Sequence, residues 1–507
     1  MLYRLGKFAS LTCARLGLAL TVLVGAQTGC TTYRILRYRQ PDARNQGMFP
    51  SRLVRKAEKP FEFAVAPTQR SDLDSLTVRA PDNRRIPFQQ YMAEYSVLAF
   101  VVIRNDTILY ERYRDGMTAQ TIHSSFSMAK SVLSALVGIA LADGAIKSLD
   151  QPVTDYLPYL RGKPAYEGVT IRHLLEMKSG LRYTKTGKGF WSDFRSDEAH
   201  IYYAANLRNA VAGAKRDLPP GAKWVYKDTD ADLLGLVVSA ATGKTIAAFT
   251  EERLWRRIGT EHDATWSLDR RDGDESVASG FNAIARDFAR FGRLYLNGGT
   301  WQGEQIVPAG WVAASTAVDS SRREPEVSNW WKMQHTLYWW HPIQPPAGEF
   351  YADGSHGQRI YVDPKTRTII VQLANKSDQD FPFRKIVAYL NGTKWDYPRS
   401  IPSIVYTAAV RFGADSVRPA FERSIAELDR DPEGFVITQS GMLTVGANLL
   451  KDQKTLPSAI EVYRIVTRRY PMAPAGFVGL ADAYEKSGDK GAAAEARRHA
   501  ADLTRAP

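Results

Sequence analysis

The chain has 507 residues, too many for one compact core, so two or three domains are expected. Its 44% apolar and 24% charged residues are those of a globular protein, and they exclude a disordered or fibrous one. The net charge of +13 would suit a nucleic-acid binder only if the excess lay on a folded face. Much of it lies instead in one proline-punctuated stretch. There Arg34, Arg37, Arg39, Arg44, Arg52, Arg55, Lys56 and Lys59 meet only Asp42 and Glu58. That pattern argues against nucleic acid and for a segment beside anionic lipid.

Residues 1–29 read as an export signal, with Arg4, Lys7 and Arg15 ahead of a short apolar core, Leu16 to Val24. The core is shorter than the roughly 18 residues a bilayer span needs. Thr28-Gly29-Cys30 resembles the end of a bacterial lipoprotein signal, which makes Cys30 a candidate lipidation site, although Gln27 departs from that pattern; a plainly secreted form is the alternative. Both cysteines, Cys13 and Cys30, precede residue 31, so the folded part has no disulfide and no cysteine metal site. Residues 30–79 are expected to be a basic tether.

From residue 80 the pattern is that of a folded domain running to about 395. Val97 to Ile103, Asn105-Asp106 and Thr107 to Tyr113 predict a strand, a turn and a strand. Ser125-Phe126-Ser127-Met128-Ala129-Lys130 then opens a helix that is apolar on every side through Ala142, hence buried. Ser127 and Lys130 are three apart and share one helical face. A serine hydroxyl becomes a nucleophile when a base takes its proton, and a lysine serves if burial and nearby positive charge lower its pKa towards neutrality. The S-x-x-K pattern is common by chance: Ser487-Gly488-Asp489-Lys490 repeats it in a helix-to-helix turn, where the residues read as structural.

Thr170 to Leu175, followed by Ser179-Gly180-Leu181, predicts a capped short helix ending at a glycine turn, with a positioning role. Residues 184–225 are aromatic, polar and irregular, as cleft loops are. Tyr226-Lys227-Asp228 then precedes the apolar helix Leu233 to Val238, and 280–300 predict an amphipathic helix. Gly354-Ser355-His356-Gly357-Gln358 leads into two strands, Arg359 to Val362 and Thr368 to Leu373, with glycines where a backbone could approach a ligand. The expected fold class is therefore α+β: one antiparallel sheet completed by both ends of the domain, with an inserted helical subdomain. Residues 396–430 read as a connector. Residues 431–507 carry an alanine-rich helical repeat of roughly 34 residues, tetratricopeptide-like, expected to pack on the catalytic domain or on a protein partner.

With these motifs in place, residues 80–395 resemble the serine β-lactamase and penicillin-binding-protein superfamily, in particular its class C-like esterases, D-aminopeptidases and 6-aminohexanoate-dimer hydrolases. Ser127-Met128-Ala129-Lys130, Tyr226-Lys227-Asp228 and the glycine-rich stretch Gly354 to Gly357 carry the resemblance. It implies an acyl-enzyme on Ser127, proton traffic shared by Lys130 and Tyr226, and a small ester, amide or peptide substrate. It implies no metal or organic cofactor. It also implies an oxyanion hole from the N–H of Ser127 and one N–H of the 354–358 strand, with Ser355 or Gln358 as alternatives. His356 and Gly357 would lie in or beside the pocket, His356 equally as a plain strand residue. Two departures stand out. The middle motif is usually Tyr-x-Asn, and Asp228 would repel acidic substrates and could hold an amine; the last motif lacks the lysine of Lys-Thr-Gly, which argues against efficient β-lactam hydrolysis. The competing class is a non-catalytic penicillin-binding or scaffolding protein working through its helical tail.

Overall fold

The computed structural model describes residues 31–38, 42, 46–80, 84–186, 192–318, 332–344, 348–376, 382–395, 398–431 and 434–505. The expected leader at 1–29 and Cys30 lie outside them. The chain forms two compact units, one of Met1–Asp319, His335–His341 and Glu349–Asp378, the other of Ser320–Gln334, Pro342–Gly348 and Gln379–Pro507.

The first unit is α+β. Its main sheet runs, strand beside strand, Trp339–Gln344, Phe350–Gly354, Gln358–Asp363, Thr368–Ala374, Val97–Arg104, Thr107–Tyr113 and Ala64–Val65. Val97–Arg104, a run of β-branched and aromatic residues buried on both faces almost to its end, is the centre. It pairs antiparallel with Thr107–Tyr113 on one side and Thr368–Ala374 on the other, Val101 opposite Val371. The two ends of the domain thus meet in one sheet. Between them lie the helices, including Ala129–Ala142 and Asp228–Thr242, both buried over most of their length. The 184–225 region is more regular than expected, with short helices at Ser192–Arg195, Asp197–Tyr202 and Leu207–Ala212.

Residues 51–79 are not a tether. Ser51–Val54 pairs antiparallel with Ala264–Ser267, and Ala64–Val65 adds a parallel edge strand to Thr107–Tyr113. Between these strands, Arg290, itself 0% exposed, donates to the Phe61 carbonyl at 2.9 Å while it pairs with Asp287 and Glu261. Of the basic side chains there, Arg52 pairs with Glu275 and Arg55 with Glu251. Their charge is matched by the folded body, which replaces the expectation of a free cationic arm over this part. Thr31–Arg37 is a helix whose Arg34 donates to the Ala204 carbonyl at 2.8 Å.

In the second unit the expected connector is helical. Ile401–Phe412 and Val417–Arg430 share a core with Gln439–Leu449 and Leu456–Arg469 through Val405, Val417, Met442 and Val462. Pro474–Ser487 and Lys490–Arg505 follow, separated by Gly488 at φ 88°, and the Ser487 hydroxyl of the second S-x-x-K merely donates to the Tyr484 carbonyl. Tyr463 is the keystone: a Cβ on Gly446 would lie 2.6 Å from its ring, and one on Gly479 would lie 2.1 Å from it. The ring therefore fills the space two glycines vacate on neighbouring helices. Gly479→Ala should overpack this contact and destabilise the C-terminal unit by about 1–3 kcal/mol, read by urea titration.

Candidate active site

Ser127 sits in a short 3₁₀ turn, Phe126–Met128, that leads into the buried helix Ala129–Ala142. The residue before it, Phe126, is held at φ 45°, a left-handed conformation unfavourable for an aromatic side chain. The opposite wall is the end of the strand Phe350–Gly354. A Cβ on Gly354 would lie 2.4 Å from the Ser125 carbonyl oxygen and 3.2 Å from the Met128 nitrogen, so only glycine allows strand and nucleophile turn to come this close. Ser355 and His356 then line the cleft with Ser127, His356 packing its ring 5.0 Å from that of Phe126.

Lys130, one turn on from Ser127, is 1% exposed. Its Nζ donates to Ser127 Oγ at 2.9 Å and to the Ala278 carbonyl at 2.8 Å, and lies 2.7 Å from Asp228 Oδ1. Tyr226 presents its ring 5.0 Å from the same Nζ, with its phenol beside Ser127 and Lys130. Two motifs far apart in sequence, together with the Ala278 carbonyl, thus converge on one ammonium. Two expectations change here. Burial alone pulls the Lys130 amine down, as expected for a general base, but the charges and hydrogen bonds of Asp228 and Tyr226 outweigh it and hold the group above the ordinary lysine range. Asp228 does hold an amine, and that amine is Lys130. Burial pushes the Tyr226 phenol up, opposed by Lys130, so it is a protonated donor at neutral pH.

Gln358 and Gly357 fall elsewhere. The Gln358 amide donates to the carbonyls of Ser355, at 3.2 Å, and Ala374, and accepts from the Ala374 N–H, bracing the strand edge behind the cleft. The Gly357 carbonyl accepts from Gln372 Nε2 at 3.1 Å, on the same inner side. Ser355 is the member of this stretch, with His356, that faces the cleft.

Several residues here were not singled out by sequence reasoning. Lys227, 1% exposed, donates to Ser179 Oγ at 3.2 Å and to the Leu181 carbonyl at 3.1 Å, while Ser179 donates to Asp230 at 2.6 Å. This knot ties the glycine turn after Thr170–Leu175 to the Tyr226 loop, and Val225 N–H adds a bond to the Met177 carbonyl at 2.9 Å. The positioning role expected of that stretch has a physical basis. Asp232 accepts the Ala278 N–H at 2.9 Å, so it steadies the carbonyl that grips Lys130. The cleft itself is walled by Phe126, Tyr202 and Tyr203 and carries the carboxylates Asp193, Glu198 and Asp228, with no lysine or arginine among its described lining residues. Beyond Tyr226 stands an aromatic wall of Trp224, His335 and Trp340, with exposed Lys185 Nζ 5.8 Å from the Tyr226 ring. Among the described residues no group of histidines and carboxylates is placed to hold a metal ion.

A serine beside a lysine and a tyrosine at the foot of a cleft, on a sheet closed by both ends of its domain, is the arrangement of a serine hydrolase. The chain belongs to the beta-lactamase family, whose model matches residues 88–390. It is 29% identical over 324 residues to a 6-aminohexanoate-dimer hydrolase of Paenarthrobacter ureafaciens, covering 61% of this chain and 79% of that one. A Bacillus anthracis structure provisionally titled a 6-aminohexanoate-dimer hydrolase superposes with a TM-score of 0.62 at 25% identity, over 70% of this chain and 94% of that one. A beta-lactamase of Pseudomonas fluorescens is 26% identical over 174 residues, 32% of this chain and 44% of its own length.

Burial raises the Asp232 carboxyl from 3.8 to about 8. The folded chain then keeps a proton that the unfolded chain releases across that interval, so this group makes stability fall as pH rises from about 4 to about 8. Chemical denaturation at a series of pH values should show Asp232→Asn losing a slope of up to about 1.4 kcal/mol per pH unit there.

Proposed function

We propose that this chain is a cell-envelope serine hydrolase that opens an ester or amide bond through an acyl-enzyme on Ser127. One observation carries the reading: Ser127 lines a cleft, and behind it Lys130 Nζ donates to Ser127 Oγ with the Tyr226 phenol beside them. Ser127 Oγ attacks the carbonyl carbon. The developing oxyanion is received by the main-chain N–H groups of Ser127 and Ser355, a contribution that can reach roughly 3–4 kcal/mol for one donor. Tyr226, protonated and beside Lys130, gives its proton to the leaving group, and water later releases the acyl group by the reverse traffic.

The cleft charge selects the substrate. Asp193 and Glu198 favour an acyl part that is neutral or bears an amine, and disfavour one bearing a carboxylate. On the far side of Tyr226, Lys185 and the aromatic wall suit a leaving group with an apolar body and an acidic end. A linear amide with an amine at its acyl end and a carboxylate at its leaving end has that distribution, in keeping with the substrate named for the Paenarthrobacter ureafaciens relative. We further propose export, with lipid attachment at Cys30, and a protein partner for the repeated C-terminal helices, on the sequence patterns described above.

Three measurements test this. Ser127→Ala should abolish turnover of short p-nitrophenyl esters and linear ω-amino-acid amides, and Tyr226→Phe should slow it by about 10²–10⁴-fold with the fold intact by circular dichroism. Full activity in Tyr226→Phe would remove the phenol from the mechanism. Among amides of equal length, one with an amino acyl end should exceed its carboxylate counterpart in kcat/KM by at least about tenfold, and Asp193→Asn with Glu198→Gln should narrow the gap. Palmitate labelling in a bacterial host should disappear in Cys30→Ala.

A further inference from the structure

The hydrogen-bond geometry at Lys130 poses a proton problem. An ammonium has three N–H donors and no lone pair. Here two have hydrogen-bond acceptors, Ser127 Oγ at 2.9 Å and the Ala278 carbonyl at 2.8 Å, and Asp228 Oδ1 lies 2.7 Å from the same nitrogen as its ion partner. Nothing on the nitrogen can receive the Ser127 proton until one of those hydrogens leaves. A carbonyl does not take it. A carboxylate does.

We propose that Asp228 is a positioning residue that makes Lys130 a proton acceptor for Ser127: the site rests as an ammonium–carboxylate pair and reacts by passing one proton along it. The inference rests on the hydrolase reading of the same site. One Lys130 N–H proton moves to Asp228 Oδ1 as the Ser127 hydroxyl proton moves to Lys130 Nζ. Ser127 Oγ bonds to the substrate carbonyl carbon, whose π pair passes to oxygen. When that pair returns, the bond to the leaving group breaks and the leaving group takes the Tyr226 phenolic proton. Lys130 then reprotonates Tyr226, and Asp228 returns its proton to Lys130. The sum is an acyl group on Ser127, a protonated leaving group and a site in its starting state.

The surroundings isolate this pair. Asp232, one turn along the same helix, faces it with a carboxyl raised to about 8 by burial, so it is protonated at neutral pH and engaged with Ala278 N–H. Tyr226 and Tyr338 are neutral phenols, both pushed up chiefly by burial. Lys227 is bound to Ser179 and Leu181, and Lys185 is exposed beside the Tyr226 ring. Asp228, with 15% of its side chain exposed, is the described carboxylate in direct contact with the ammonium.

The test is the rate of labelling by a fluorophosphonate between about pH 6 and pH 9, with the Lys130 Cε resonance followed over a wider range and identified by its absence in Lys130→Arg. In the wild-type chain the resonance should stay at its ammonium position and the labelling rate should vary by less than about threefold. Asp228→Asn cannot take up a proton, so Lys130 must first lose one to solvent. Its titration should then move down by at least about one pH unit, and labelling should climb about tenfold per unit below the new midpoint. Asp228→Glu, which keeps the acid, should restore the flat profile. A neutral Lys130 at pH 7 in the wild-type spectrum would overturn the proposal even if the asparagine variant failed to fold. Superimposable wild-type and Asp228→Asn profiles would overturn it while leaving the hydrolase reading in place. A wild-type chain that no fluorophosphonate labels at any pH would bring down both.

Discussion

A charged amine almost wholly removed from water must have its charge answered nearby, or it will not stay charged. Lys130 meets that requirement with one carboxylate, one carbonyl and one hydroxyl, and each acceptor comes from a different part of the chain. The Asp228–Thr242 helix supplies the first from its N-terminal residue, the segment before Phe281–Ala283 supplies the second, and the turn ahead of Ala129–Ala142 supplies the third. The packing of the first unit can be seen as what it takes to bring these three to one nitrogen. The Lys227–Ser179–Asp230 knot fixes the loop carrying Tyr226, and Asp232 fixes the carbonyl at Ala278. Removing any of these supports would leave an ammonium with an unanswered donor.

The same economy explains the strain at Phe126. Local strain of this kind persists only where the surroundings over-determine it. Here the helix behind is buried through Ala140, the Ser125 N–H is held by the Phe281 carbonyl at 2.9 Å, and Gly354 presses from the opposite strand. With those three sides fixed, the serine hydroxyl has one direction left, into the cleft. A side chain at position 354 would push the strand away and take the Ser355 N–H with it, so the glycine and the nucleophile form one structural element although they are more than two hundred residues apart.

What the sequence disclosed follows from the range of the forces involved. Ser127, Lys130 and the apolar helix behind them are local, and their spacing was enough. The sheet of Val97–Arg104 with Thr368–Ala374 was visible because both strands are continuous apolar runs. Ser51–Val54 was missed because half its residues face solvent and its partner, Ala264–Ser267, lies over two hundred residues away; only the pairing makes it a strand. The charge state of Lys130 was misjudged for the same reason, since its governing neighbour comes from a distant helix. Asp230 and Asp232 offered a usable signal. Carboxylates spaced through an otherwise apolar helix cannot remain buried without partners, and they pointed to a polar network inside. Gln358 looked like a binding residue beside glycines, but its amide is satisfied by the backbone of the preceding turn and of the adjoining strand Thr368–Ala374.

The charge of the whole chain and the charge of the site have opposite signs, and that contrast bears on selectivity. A balance of +13 would draw anions from a distance, yet at physiological ionic strength such a field fades over about 8 Å, and several basic side chains near the surface are already paired. Inside the cleft the nearest charges among the described residues are Asp193, Glu198 and the Lys130–Asp228 pair, in surroundings less polarisable than water. Among the described residues, a net negative charge with a local Lys130–Asp228 dipole therefore meets the scissile bond. The dipole's positive end touches the serine and its negative end opens towards the cleft. Under the proposed reading, a carboxylate beside the acyl carbon would be set against the negative end, whereas an amine there would be drawn in. The substitution of one acid for an amide at position 228 thus acts on two scales at once, setting the protonation of the lysine and the sign of the field that an incoming acyl group feels.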